Sequence, residues 1–304
     1  WKACAEMDIS IGSVILDDII LPDGQAHMAR LGGGAVHAVM GMRVWSQTVG
    51  LLTPVGPDCP ADVLQALGAC FDLGGLIVRE HIKTPRAWQL FETDGTRNEV
   101  FRTDFQELVN TFPRVDEIPA GWPPLRSVHL HCPPHQVPVW AAALRQRGSG
   151  LILWEPYDGF CTAENLGSFG DYARLVDVVS PNLNEGRALT GETQPDRVLA
   201  ALLAAGARTA ALRMGALGSL VGSAQGSPLA VPVAPAARVV DVTGAGNAYC
   251  GGFIVGLAET GSLRQAGGYG AVAASFALEQ FGALYDTQNL RTRAEERLAR
   301  LRWE

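Results

Sequence analysis

The segment Asp241-Val242-Thr243-Gly244-Ala245-Gly246-Asn247-Ala248 combines the residue types that anion chemistry requires. Small residues at a helix start let free backbone amides approach a charged group, and the helix dipole adds favourable positive charge there. For the Gly-Ala-Gly core alone, the plainer reading is a glycine-rich turn that opens a tightly packed helix. Other residues with chemical potential are scattered. Asp17 and Asp18 are neighbours, and in an extended segment only one of them can point into a pocket. Trp154-Glu155-Pro156 ends an expected strand, the place where doubly wound sheets bind ligands; Glu155 therefore either lines a pocket, approaches a metal or caps the strand end. His129, His131, Cys132 and His135 suggest a metal cluster, but no second cluster of matching spacing accompanies them. They read better as strand-end and pocket-wall residues.

The full string at 241–248 resembles the signature of ribokinase-like (PfkB-type) sugar and nucleoside kinases, Asp-Thr-x-Gly-Ala-Gly-Asp, and further motifs follow in family order. Gly32-Gly33-Gly34-Ala35-Val36-His37 is similar to the Gly-Gly motif that opens the family's first helix, and Gly12-Ser13 with Asp17 looks like its first strand and substrate-contacting aspartate. Pro181-Asn182-Leu183-Asn184-Glu185 matches the Asn-x-x-Glu element, and Gly215 and Gly218 resemble the later turn that borders the nucleotide.

The resemblance implies an ATP- and Mg²⁺-dependent kinase acting on a hydroxyl of a sugar or nucleoside. ATP would lie across Gly244, Ala245 and Gly246, with Asp241, Thr243, Arg213, Gly215, Gly218 and Asn182 on the nucleotide side. Glu185 would order Mg²⁺ through water, while Asp17, Gly33, His37 and Glu155 would face the acceptor. Three positions depart from the pattern. Asn247 stands where the family carries the aspartate that takes the acceptor's proton, and an amide cannot serve as that base. His37 replaces the usual asparagine and is either an alternative base or a hydrogen-bonded helix residue. Arg213 stands where many relatives have threonine; it either clamps a phosphate or crowds the site. Two functional expectations result: an active kinase with Asp17, His37 or solvent covering for the base, and a pseudokinase that keeps ligand binding. A dinucleotide-dependent oxidoreductase fits less well, because its glycine fingerprint follows the first strand.

These residues need a scaffold, and the pattern supplies one. Short β-rich runs alternate with amphipathic stretches, as in an α/β domain with helices on both faces of a mostly parallel sheet. Strands are expected at 7–14, 47–52, 127–131, 151–154, 176–179, 209–213 and 219–221. Helices are expected at 35–45, 61–70, 137–147, 246–259 and 263–279. Between 74 and 105 the beat changes to short antiparallel strands at 76–78, 87–91 and 99–102, with a turn at Asp94-Gly95. This insertion, with part of 14–22, reads as a small β lid on a single ribokinase-like domain, and by resemblance as a homodimer contact. Arg86, within it, either reaches an anionic substrate or faces solvent.

Bulk properties narrow the partners. With 304 residues and 47% hydrophobic content the chain can bury a large core. A net charge of -7 argues against the broad basic surface that nucleic acid requires. The cysteines, Cys4, Cys59, Cys70, Cys132, Cys161 and Cys250, show no CxxC spacing and are expected to be reduced thiols of the cytoplasm or another reducing compartment. No apolar run is long enough to cross a bilayer. The first residue is Trp1 rather than Met, which leaves room for a removed targeting segment.

Overall fold

The computed structural model describes residues 6–94, 97–104, 107–108 and 111–303. The positions of Cys4 and Gly95 lie outside the described residues.

Most strands join one sheet of order β13-β12-β11-β10-β9-β8-β1-β4-β5. Its centre is parallel: β1 (Met7–Ile11) lies between β4 (Val49–Val55) and β8 (Leu125–Leu130), followed by β9 (Leu151–Trp154), β10 (Val178–Val179) and β11 (Thr209–Arg213). β12 (Ser219–Ser223) and β13 (Leu229–Val231) add an antiparallel edge. The central strands are buried on both faces, which is why β1 and β4 show unbroken burial instead of alternation.

Two cores flank the sheet. One is built on α1 (Gly34–Arg43), α2 (Ala61–Cys70), α7 (Ala245–Thr260), α8 (Leu263–Ala277) and α9 (Leu290–Leu298), with Met40, Phe253, Ile254 and Phe276 at its centre. The other packs α3 (Val137–Gln146), α4 (Leu166–Ala173), α5 (Leu183–Thr190) and α6 (Pro195–Ala205) through Trp140, Phe169, Leu189 and Leu202. Helix α7 is apolar all round because it is enclosed by α1, α8 and the sheet. Its approach to α1 is unusually close: a Cβ on Gly41 would overlap the Ala248 carbonyl, and one on Gly251 the Ala38 carbonyl.

A second, four-stranded sheet has the order β3-β2-β6-β7. Here β2 (Ile15–Ile20) pairs in parallel with β6 (Arg86–Phe91), while β3 (Ala26–Gly32) and β7 (Arg97–Phe101) close its two sides antiparallel. The segment expected as the first lid strand, β5 (Leu76–Val78), instead extends the large sheet beside β4. The small sheet does include β2, within the expected 14–22, and gains β3, which was not expected. The run Ala26–Gly32 is mostly exposed and carries His27 and Arg30, so it lacks the apolar alternation that marks a strand in sequence.

Candidate active site

Helix α7 begins as the glycine string requires. Gly244 is its N-cap, with a left-handed φ of 74° that a side chain would strain. The Ala245 amide closes a turn on the Val242 carbonyl at 3.3 Å, and the Ala248 amide bonds the Gly244 carbonyl at 2.9 Å. The amides of Gly246 and Asn247, between them, have no main-chain acceptor among the described residues. Unspent amides in a first helical turn are what an anion site is made from.

The close crossing of α1 and α7 sets the start of α1 beside this turn. Gly33, with φ of 96°, caps α1, and a Cβ there would clash with the Ser13–Ile15 main chain. A Cβ on Gly34 would lie 2.7 Å from His131 Nδ1 and 3.1 Å from Asn247 Nδ2, so glycine allows the two helix starts to meet. The His37 ring occupies the space that a Gly244 side chain would fill. It is 3% exposed, and neither ring nitrogen has a hydrogen-bond partner in the protein. Burial, reinforced by the charge of Arg97, lowers its pKa to about 4, so the imidazole is neutral at physiological pH.

Asp17, on β2, faces inward against Gly32 and accepts a 3.0 Å bond from Gln89 Nε2. Burial raises its pKa to about 7; Glu99 and Asp241 push in the same direction, while the Gln89 bond and Arg97 oppose them. Asp18 points the other way, pairing with Arg102 at 2.6 Å. Asp241 holds the Thr243 amide at 2.8 Å through Oδ1, while its Oδ2, Thr243 Oγ1 and Gln89 Oε1 are buried without a partner. Gln89 drew no attention in sequence, although its place on the inward face of β6 is an ordinary consequence of strand alternation.

Beneath Asn247 lies a buried polar network. Asn247 Nδ2 donates to Glu155 Oε2 at 2.9 Å, and His129 Nε2 meets the same oxygen at 2.9 Å. His129 Nδ1 is 2.9 Å from Ser10 Oγ. Arg213 NH1 reaches Glu155 Oε1 at 2.8 Å, NH2 donates to the Ser180 carbonyl at 2.8 Å, and NH2 stands 3.6 Å from Glu185 Oε2. Burial alone would raise the Glu155 carboxyl, but Arg213 and His129 hold it well below the usual range, so it is ionised. Glu155 is 4% exposed, spends both oxygens inside this network and backs Asn247. Arg213 crosses against the first turn of α7, where a Cβ on Gly246 would overlap its NH1.

The Asn-x-x-Glu spacing forms a capping box at the start of α5. Asn182 Oδ1 accepts the Glu185 amide at 2.9 Å, and Glu185 Oε2 accepts the Asn182 amide at 2.6 Å. Burial raises the Glu185 pKa to about 7 against the opposing charge of Arg213. Gly215 and Gly218, both with positive φ, make the β11–β12 turn directly after Arg213. A 2.7 Å bond between Ser219 Oγ and Tyr249 OH ties that turn to α7.

The metal expectation does not fit these side chains. Glu185 gives Oε2 to the capping box, and that oxygen faces a guanidinium at 3.6 Å, which would repel a divalent ion. Among the described residues, the donors close enough to share an ion are His129, Glu155 and Cys250, not the His129, His131, Cys132 and His135 set. Their donor atoms lie within 4.8 Å of one another, but His129 and Glu155 are already spent on Ser10, Arg213, Asn247 and each other. Cys59, Cys70, Cys132, Cys161 and Cys250 are free thiols. No helix among the described residues is long and apolar enough to cross a membrane.

Comparison with known proteins bears on the fold and on the sequence of residues 161–290. Residues 161–290 match the pfkB family carbohydrate kinases. The cytidine kinase of Thermococcus kodakarensis is 27% identical, covering 90% of this chain and 96% of its own. The adenosine kinase of Sinorhizobium meliloti superposes with a TM-score of 0.76 at 22% identity, covering 97% of this chain and 99% of its own. The ribokinase of Arabidopsis thaliana, solved with ribose and ATP, superposes with a TM-score of 0.71 at 19% identity, covering 96% and 99%. By the sequence of residues 161–290 this protein is similar to the pfkB family carbohydrate kinases, and its whole chain takes the ribokinase-like fold.

Proposed function

We propose that this protein binds ATP at the start of α7 and transfers its terminal phosphoryl group to a hydroxyl of a sugar or nucleoside. One observation carries the reading: the unspent amides of Gly246 and Asn247 lie in a turn that the unpartnered His37 ring touches and that the unpartnered buried atoms of Asp241 and Thr243 lead into. Buried polar groups are normally satisfied, and a polyhydroxylated acceptor would satisfy these. A bound nucleotide supplies the phosphoryl group. The chain's own part is to hold the anion with amides and the Arg213 charge, to align the acceptor, and to take its proton. Asp17, with a pKa of about 7, suits that last task near neutral pH better than His37 at about 4. Because a relative is named cytidine kinase, nucleosides come first in the acceptor panel.

Calorimetry with ATP, followed by phosphotransfer assays over nucleosides and sugars, tests the reading. Absence of binding at millimolar nucleotide would remove it. A second reading, a pseudokinase that binds ligands without turnover, is favoured by the side chain of Asn247, which is turned onto Glu155. Tight nucleotide binding with no product across the panel would select it. We further propose self-association through the small sheet, whose paired Trp88 and Val100 are 42% and 41% exposed on the face opposite Asp17. Light scattering of the wild type and of Trp88→Glu checks this.

A further inference from the structure

The buried carboxylates of Glu155 and Glu185 share one guanidinium. Arg213 is 12% exposed, lies 2.8 Å from Glu155 and 3.6 Å from Glu185, and is pinned by the Ser180 carbonyl at 2.8 Å. Its NH1 packs against Gly246 in the turn whose amides are unspent. Next to that turn, the buried His37 ring and Thr243 hydroxyl have no partner, so the helix start is accompanied by side chains that await a ligand. A divalent ion near Glu185 would meet a fixed positive charge 3.6 Å from a carboxylate that already gives one oxygen to a helix cap. Two cations competing for the same carboxylates repel one another strongly where water is scarce.

We infer that Arg213 replaces the protein-ordered metal, so that this site takes a nucleoside polyphosphate as the metal-free anion. The inference rests on the nucleotide reading of the α7 start and adds to it the ionic form of the ligand. A fixed guanidinium provides lasting charge and directed donors to phosphate oxygens.

The test is calorimetry of ATP and ADP with the full chain, once in EDTA and once in excess Mg²⁺. The expected result is affinity in EDTA equal to or greater than that in Mg²⁺. Affinity at least tenfold higher in Mg²⁺ overturns the inference while leaving the nucleotide reading intact. Absence of binding under both conditions overturns both. The paired variant Glu155→Gln with Arg213→Met removes the cation together with the carboxylate it pairs at 2.8 Å, and leaves Glu185, whose pKa burial already raises to about 7, free to take up a proton. It is expected to lose at least tenfold of the EDTA affinity, with Arg213→Lys falling between it and the wild type. Unchanged EDTA affinity in a folded paired variant would show that Arg213 does not supply the charge.

Discussion

Asn247 donates its amide hydrogen to Glu155 at 2.9 Å, so the residue in the base position is matched to a buried, ionised carboxylate. Asn247→Asp alone would set two carboxylates against each other, and like charges at this separation cannot both ionise. The single variant is therefore expected to lose stability and to gain no phosphotransfer. Combined with Glu155→Gln, whose amide can donate to the new carboxylate, it is expected to raise phosphotransfer by roughly 10²- to 10⁴-fold, the usual worth of a positioned base. Steady-state kinetics and urea unfolding of both variants check this.

Arg213→Met in an otherwise unchanged chain leaves Glu155 buried without its counter-charge. Removing one partner of a buried pair costs about 3–5 kcal/mol. Adding Glu155→Gln should recover most of that loss, because two neutral groups have no Coulomb debt. A double-mutant cycle by denaturant unfolding measures the coupling.

Asp17 makes stability depend on pH. Its folded pKa is raised from 3.8 to about 7, so its contribution is fully present below 3.8 and is lost as pH rises through about 7. At ~1.4 kcal/mol per unit, the effect is on the order of a few kcal/mol. Asp17→Asn should be more stable than the wild type at pH 8 and similar at pH 4, while its phosphotransfer falls. Opposite signs for stability and activity separate a proton-taking residue from a merely structural one.

Gly244→Ala meets two obstacles, a left-handed backbone and the His37 ring. The first costs about 1–2 kcal/mol; the second disappears if His37 is shortened. His37→Ala added to Gly244→Ala is therefore expected to recover part of the stability, leaving the backbone term. Thermal unfolding of the four proteins in the cycle decides it.

The site was partly legible in sequence because its anion-binding half is local. The glycine string fixes backbone geometry within a few consecutive residues, and the Asn182–Glu185 spacing is readable as a helix start. The Ser10–His129–Glu155–Arg213–Asn247 network was not legible: its members come from five separate segments, and each alone looks like an ordinary strand-end or helix residue. The parallel sheet followed from buried apolar runs, whereas β3, β13, α4, α5, α6 and α9 were not anticipated, β3 and α9 because their residues are exposed and charged. Leu76–Val78 was misplaced because a three-residue apolar run does not reveal which sheet it joins.

Gly41 and Gly251 let the main chains of α1 and α7 touch. Helices joined so tightly cannot part to admit a ligand without exposing peptide groups that have no room to find new partners. A ligand that reaches Asp17 and His37 is therefore expected to enter on the side of the small sheet, whose strand β2 carries Asp17. Substituting alanine at either helix crossing should thus push the two helix starts apart and disturb the alignment of the residues they carry.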